Sequence, residues 1–394
     1  MRLRRALTIV SVAAICIATL RATGNSMPAG WSFSLTSGDK AVAELIQNLL
    51  LFVPFGLALA LRPGMRWRNL LLAGVAISFT VEFLQQWIPG RDPSVGDIVT
   101  NAISTLLGGA LVWTAPRWLH PPEHRAPWLS LGAAAVAAVA WLGTGWLLAP
   151  LYPPGTYSDS WMPDQDRYSG RVLSATLGPL PLHESAIGGG VLGRGRSLLA
   201  AGEPLRIVAV LGRPPERRAT LLVLSDETPR DILRVGVIRT DLFLVYRTRA
   251  ASLTLDRPDL RAPQVFAAAA PGDTVRVVAR RAAPGRWCLN AACGLGYTVG
   301  DGWKLIFFPE AFPRWALRLL NAMWVGAGML GIGLWGRRHP ATGVAVGLVA
   351  LVLLVGPGLV GLLATPLGEM AGGVAGVGLG NLASRRYRAL KGHG

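Results

Sequence analysis

Ionisable and amide side chains are concentrated in the stretch EFLQQWIPGRDPSVGDIVTN, which begins at Glu82 and separates two strongly apolar runs. The spacing of Glu82 and Gln85 places both on one face of a helix, and the spacing of Asp97 and Asn101 does the same. Ionisable groups at membrane depth are costly unless they are paired or face water, so they usually mark a functional site. The carboxylates of Glu82 and Asp97 and one cation, Arg91, are suited to binding a polar group or moving a proton.

The turn between the two apolar runs is rich in proline and glycine, which predicts a tight connection. Arg91 in this turn is expected to pair with Glu82, Asp92 or Asp97, because pairing lowers the cost of burying each charge. Asn48 lies in an earlier apolar run, before these two, and is expected at the same depth in the membrane as these charged groups. The competing interpretation is structural, since intramembrane polar groups also hold helices together.

Composition indicates an integral membrane protein. Hydrophobic residues make up 51% of the 394-residue chain and charged residues only 15%. The net charge of +17 does not point to nucleic acid, because the arginines form short clusters beside apolar runs, as topology signals do.

The sequence predicts an α-helical membrane protein of about eight spans, since a span needs about 20 apolar residues. Arg2, Arg4 and Arg5 place the N-terminus in the cytoplasm, and both termini lie inside if the glycine-rich last segment spans. The first segment resembles a secretory signal but is expected to be retained, because Arg21 follows it directly. The predicted spans lie near residues 5–21, 44–61, 69–88, 97–115, 128–149, 315–335, 341–364 and 366–384.

Three glycines in the last predicted span, Gly372, Gly376 and Gly380, recur every four residues and predict close packing on another helix. Residues 97–111 and 368–381 share an early acid followed by small residues. This echo is too degenerate to establish a repeat.

Between the helices, residues 151–313 are predicted to form an extracytoplasmic all-β sandwich, inserted between membrane segments 1–150 and 314–394. Cys288 and Cys293 are expected to form a disulfide on that side of the membrane. The strand pattern resembles laminin-G and concanavalin-like sandwiches, which implies glycan or protein binding. The predicted strands lie at 205–211, 219–226, 232–238, 241–248 and 274–281.

Two weaker patterns carry no cofactor or metal prediction. A glycine spacing matches the dinucleotide fingerprint but lacks a βαβ context. An acidic loop matches no ordered calcium site, and no zinc or nucleophile-elbow motif occurs. The residues concerned are Gly188, Gly190 and Gly193 for the first pattern, and Asp159, Asp164 and Asp166 for the second.

Residues 41–115 resemble the VanZ-like family of bacterial membrane proteins. The family pattern is an Asn, an F-x-P-x-G, a Glu and Gln pair, then an Arg and two Asp that lead to an Asn and glycines. Ser104 departs from it, standing where a glycine often follows. The matching residues are Asn48, Phe52, Pro54, Gly56, Glu82, Gln85, Arg91, Asp92, Asp97, Asn101 and Gly108.

The resemblance implies a role in the bacterial cell envelope, and the namesake is associated with resistance to teicoplanin. The first hypothesis is an outward-facing pocket in the inner membrane that binds an amphiphilic lipid, an envelope glycan or a glycopeptide antibiotic. Here Arg91 would meet an anionic group, with Asn48, Gln85, Asp92 and Asn101 as further ligand-binding residues. The second is an enzyme that acts on a lipid-linked or envelope glycan substrate, with Glu82 or Asp97 as general base and Arg91 as the stabiliser of developing negative charge. The third is an adhesion module with its ligand on the β-domain.

Overall fold

The computed structural model describes residues 2–22, 27–28, 30–33, 40–163, 168–183, 194–228, 230–307, 312–336 and 339–391. Helices occupy both ends of the chain and strands the middle. The helices are α1 Arg2–Thr19, α2 Ala41–Ala60, α3 Trp67–Gln85, α4 Val95–Leu119, α5 Ala126–Leu148, α6 Gly195–Ala201, α7 Arg249–Ser252, α8 Arg314–Trp335, α9 Pro340–Leu354, α10 Gly356–Leu359 and α11 Leu367–Lys391, with a 3-10 helix at Val299–Leu305.

Each of the eight predicted spans contains a helix, but within the described ranges five are long and apolar enough to cross a membrane. These are α2, α3, α4, α5 and α8. Helix α1 carries three arginines among its 18 residues, and α11 is rich in glycine and ends in basic residues. The structure therefore supports a membrane protein with five crossing-capable helices, and eight spans are not confirmed.

The prediction of one continuous span over residues 341–364 is wrong, because the helix in this segment is interrupted. Helix α9 has 15 residues, which extend about 22 Å and fall short of a hydrocarbon core of about 30 Å. The chain then forms the four-residue helix α10 and turns at Gly361, where φ is +76°. Pro357 has no backbone N–H to continue the hydrogen-bond ladder of α9, which explains the break.

The middle of the chain forms two antiparallel sheets in the described residues. One has the order β1-β5-β6-β7-β8 and the other β11-β10-β9-β4-β2-β3. The strands are β1 Ser158–Trp161, β2 Arg171–Leu177, β3 Leu180–Leu182, β4 Leu205–Val210, β5 Ala219–Ser225, β6 Asp231–Ile238, β7 Asp241–Tyr246, β8 Leu260–Ala262, β9 Thr274–Ala283, β10 Arg286–Leu289 and β11 Ala292–Leu295. All five segments predicted as strands are confirmed. We call residues 151–307 the β region.

Alternation along the strands explains why the β region forms sheets. In β4, Leu205, Ile207 and Ala209 are buried while Arg206 between them is exposed. This period of two is what a strand with one buried face requires. Buried residues of both sheets belong to one apolar core that also includes Trp141 of α5. The core is therefore continuous from the sheets into the helices.

The β10–β11 hairpin holds the predicted disulfide pair. Cys288 and Cys293 face each other across the hairpin, and their sulfurs are bonded at 2.06 Å. The bond closes a short loop within one hairpin and joins no distant strands. Its contribution to stability is therefore at the low end for disulfides.

Backbone and side-chain bonds attach the β region to the start of α2. The amides of Val42 and Ala43 both donate to Thr254, at 3.1 and 3.3 Å. One turn later, Gln47 Nε2 donates to the carbonyl of Ile306 at 2.7 Å. Because the first amides of a helix have no partner within it, these bonds satisfy groups that the helix itself leaves open.

Helices α8 and α11 pack at backbone distance along the predicted glycine stripe. A Cβ added to Gly372, Gly376 or Gly380 would lie 2.2, 2.0 or 2.1 Å from a carbonyl oxygen of α8. Such close approach is possible only without side chains, as in small-residue packing of membrane helices. The prediction of tight helix packing is confirmed.

We expect Gly376→Ala to lower the free energy of unfolding by about 1–3 kcal/mol, because the new methyl group overpacks the α8–α11 contact. Gly378→Ala is the matched control, since a Cβ there meets nothing within 4 Å. Thermal unfolding of the detergent-purified protein measures both. Equal melting temperatures for the two variants would show that the contact does not bear on stability.

Candidate functional site

Polar side chains converge where α3 ends and α4 begins, beside the first half of α2. We call Asn48, Ser78, Glu82, Asp97 and Asn101 the polar cluster. Ser78, Glu82 and Asn101 are each at most 2% exposed, so their polar atoms depend on protein partners.

Glu82 accepts a hydrogen bond at the start of α4. Its Oε2 lies 2.8 Å from the amide of Ser94, the residue that precedes the first turn of that helix. A carboxylate is favoured there, because the amides at a helix N-terminus carry a partial positive charge. The short segment 30–33 runs alongside: Ser32 N donates to Pro93 O, and Val95 N donates to Ser32 O. This segment and the α3–α4 turn are thereby tied together beside Glu82.

Asp97 lies in the first turn of α4 and joins it to α2. Its Oδ1 accepts from Asn48 Nδ2 at 2.9 Å. The two helices approach closely two turns further on, where a Cβ on Gly56 would lie 1.9 Å from Thr105 O and one on Gly108 would lie 2.2 Å from Val53 O. The glycines of the sequence pattern therefore bring the Asn and the Asp within bonding distance.

Asn101 completes the cluster and leaves one acceptor without a partner. Its Nδ2 donates to Ser78 Oγ at 2.9 Å, and its backbone carbonyl accepts from Thr105 Oγ1 at 2.8 Å. Its side-chain oxygen Oδ1 is buried and accepts no hydrogen bond from any described residue. A buried acceptor without a donor costs free energy, so this oxygen is an unmet acceptor within the polar cluster.

Arg91 does not make the predicted ion pair. Its Nε and Nη2 donate to the carbonyls of Arg21 and Ala18, at 3.1 and 2.7 Å, and no carboxylate in the described ranges lies within ion-pair distance of it. The last carbonyls of α1 have no partner within the helix and carry a partial negative charge, which explains why the guanidinium turns toward them. Gln85 acts in the same way, since its Nε2 donates to Thr19 O at 3.0 Å.

Charges of the cluster still act on Arg91 through space. Burial lowers the pKa of the Arg91 guanidinium, while the carboxylates of Glu82, Glu44 and Asp97 act in the opposite direction. Glu44 was missed by sequence reasoning. It lies four residues before Asn48 on α2, and that i, i+4 spacing was the available signal.

Asp92, predicted to bind ligand, is not brought into the cluster. It is exposed in the α3–α4 turn, and its side chain makes no hydrogen bond or ion pair with the described residues. Ser78 was a second omission from the predicted set, although it lies one helical turn before Glu82. The site is therefore a cluster of helix-borne groups, with Arg91 and Gln85 securing α1 beside it.

No group of three or more metal-binding side chains is gathered in the part of the chain that the structure describes. Asp159, from the acidic loop, accepts a hydrogen bond from Trp161 Nε1 at 3.0 Å. Asp164 and Asp166 lie outside the described residues, as do the three glycines of the rejected dinucleotide pattern, Gly188, Gly190 and Gly193.

We expect Arg91→Ala to lower the free energy of unfolding by about 1.5–3 kcal/mol, because the carbonyls at the end of α1 lose charge-assisted hydrogen bonds. Amide hydrogen exchange should accelerate in α1 in particular. Asp92→Ala in the same turn is the control and should change neither quantity. Unchanged exchange in α1 of the Arg91 variant would contradict the role of this residue.

Comparison with known proteins identifies one family over the first part of the chain. The family model VanZ/LLP1 matches residues 9–116, which include most of α1 and α4 and all of α2 and α3. No curated protein and no solved structure matches the chain. The matched part contains every member of the polar cluster together with Gln85 and Arg91. Residues 9–116 therefore match the VanZ/LLP1 family, in a chain with five helices long and apolar enough to cross a membrane within the described ranges.

Proposed function

We propose that the polar cluster binds the head group of an amphiphilic cell-envelope component or a glycopeptide-type antibiotic. The observation that carries this proposal is the buried Asn101 Oδ1, which accepts no hydrogen bond from the described residues. It lies in a cluster with two carboxylates, Glu82 and Asp97. Together these groups offer acceptors, so the ligand must offer donors such as sugar hydroxyls, amide N–H groups or an amine.

The hydrogen bonds that Arg91 makes within the protein restrict the class of ligand further. Its guanidinium donates to two backbone carbonyls of α1, so it is committed to structure rather than to an anionic head group. The same fact disfavours an enzyme that uses Arg91 to stabilise negative charge, which was the second hypothesis. A donor-rich envelope glycan or glycopeptide fits the cluster better than an anionic group does.

We further propose that the chain lies in the bacterial inner membrane, with both termini in the cytoplasm and the β region on the outer side. The disulfide between Cys288 and Cys293 supports this side for the β region, because disulfides persist in oxidising compartments. In this arrangement the β region is a sandwich of concanavalin type that covers the outer end of α2. The contact of Gln47 with Ile306, one residue from Asn48, supports that placement.

We expect Glu82→Gln and Asp97→Asn to fold and yet to weaken ligand binding about tenfold or more, the effect of losing a charged hydrogen-bond acceptor. Each substitution keeps an oxygen that accepts from Ser94 N or Asn48 Nδ2 and removes only the charge. The measurements are the affinity of the purified protein for teicoplanin and the susceptibility of a bacterial strain that carries each variant.

Glu123→Gln, an exposed charge change between α4 and α5, is the matched control. If both cluster variants reach the membrane with wild-type stability, and binding and susceptibility also match the wild type, the cluster serves packing alone. In that case the proposed function is wrong.

A further inference from the structure

A second candidate site lies where the end of α5 meets the β region. A partly open cavity of 410 Å³ is bordered there by the last turn of α5, the chain after α10 and the β9–β10 turn. These walls touch each other, because Gly285 packs directly on the carbonyl of Gly361, and Leu363 N donates to Tyr297 O at 2.8 Å. The cavity shares no residue with the polar cluster, and its interpretation does not depend on the proposed function.

The charged residues that line the cavity are two arginines, Arg249 and Arg281, and no carboxylate lines it. The guanidinium of Arg249 stands 5.1 Å from the centre of the Trp146 ring and makes no hydrogen bond or ion pair with the described residues. Arg281 stands over Tyr152 and donates to the carbonyl of Ala200. Two cations that share a cavity repel each other, and a bound anion removes that cost.

The two tyrosine hydroxyls of the lining already donate hydrogen bonds within the protein. The hydroxyl of Tyr246 donates to Leu148 O at 3.1 Å, and that of Tyr297 donates to Pro258 O at 2.7 Å. The donors that remain for a ligand are therefore the guanidinium of Arg249 and those N–H groups of Arg281 that do not donate to the Ala200 carbonyl. Guanidinium groups bind phosphate through paired hydrogen bonds, which makes a phosphate the best-matched anion.

The lining also has an exposed apolar side. Trp146 is 54% exposed near the end of the crossing-capable helix α5, and Leu359 of α10 is 79% exposed. Tryptophan is enriched where a membrane helix reaches the surface of the bilayer, with its ring at the level of the lipid head groups. A cationic cavity with an apolar rim at this level matches a lipid head group with its chains attached.

We propose that this cavity binds the phosphate of an anionic membrane phospholipid. The phosphate lies between Arg249 and Arg281, and the acyl chains extend along Trp146 and Leu359 into the bilayer. The lipid thereby joins α5 and α10 to the β region at the membrane surface.

Native mass spectrometry of the delipidated full-length protein tests this site. Dioleoylphosphatidylglycerol is titrated in one arm, dioleoylphosphatidylcholine in a second and inorganic phosphate in a third. The variants are Arg249→Gln, Arg281→Gln and Ala149→Trp, which fills the cavity and keeps both arginines. Arg276→Gln, an exposed arginine on the same strand as Arg281, is the control.

We expect phosphatidylglycerol to bind the wild type and the Arg276 control equally. Each cavity arginine variant should lose about tenfold in affinity, the effect of one charge-assisted hydrogen bond, and the tryptophan variant should lose binding. Equal binding by all variants, equal affinity for phosphatidylcholine or an equal loss in the control would overturn the proposal. Inorganic phosphate that binds as tightly as the lipid, with the same dependence on the arginines, would replace the lipid with a free anion.

Discussion

Backbone groups at helix ends have no partner within their own helix, and in apolar surroundings each must find one elsewhere. The α3–α4 turn meets this constraint for two helices at once. Glu82 accepts from Ser94 N at the start of α4, while Gln85 and Arg91 donate to the last carbonyls of α1. The residues of the VanZ-like pattern thus hold the bundle together at the same place where they form a polar cluster.

The β region meets the same constraint at other helix ends. Tyr246 OH donates to Leu148 O, the last residue of α5, and the amides at the start of α2 donate to Thr254. Near α11, Glu369 accepts from Gly300 N of the 3-10 helix. The sheets are therefore attached to the helices by hydrogen bonds that the helices need, in addition to the shared apolar core. Because of these hydrogen bonds and the shared core, the β region is a structural part of the helical bundle.

Two helix pairs use the same combination of contacts. Asp97 in the first turn of α4 accepts from Asn48 of α2, and Glu369 in the first turn of α11 accepts from Asn321 of α8. In both pairs, glycines further along let the backbones touch. The faint sequence echo between residues 97–111 and 368–381 thus corresponds to a shared packing solution. Since Glu369 is also bonded by Thr298, its carboxylate serves the junction with the β region.

The sequence by itself determined the membrane character, the positions of most helices and of the main strands, and the residues of the cluster except Ser78, because apolar runs, period-two alternation and helical spacing are local properties. The partner of Arg91, the exposure of Asp92 and the division of the segment at Pro357 and Gly361 were decided only by tertiary structure. The physical reason is that a guanidinium donates to whichever acceptor lies within reach. The unpaired carbonyls at the end of α1 come within reach of Arg91 only after the four helices have packed.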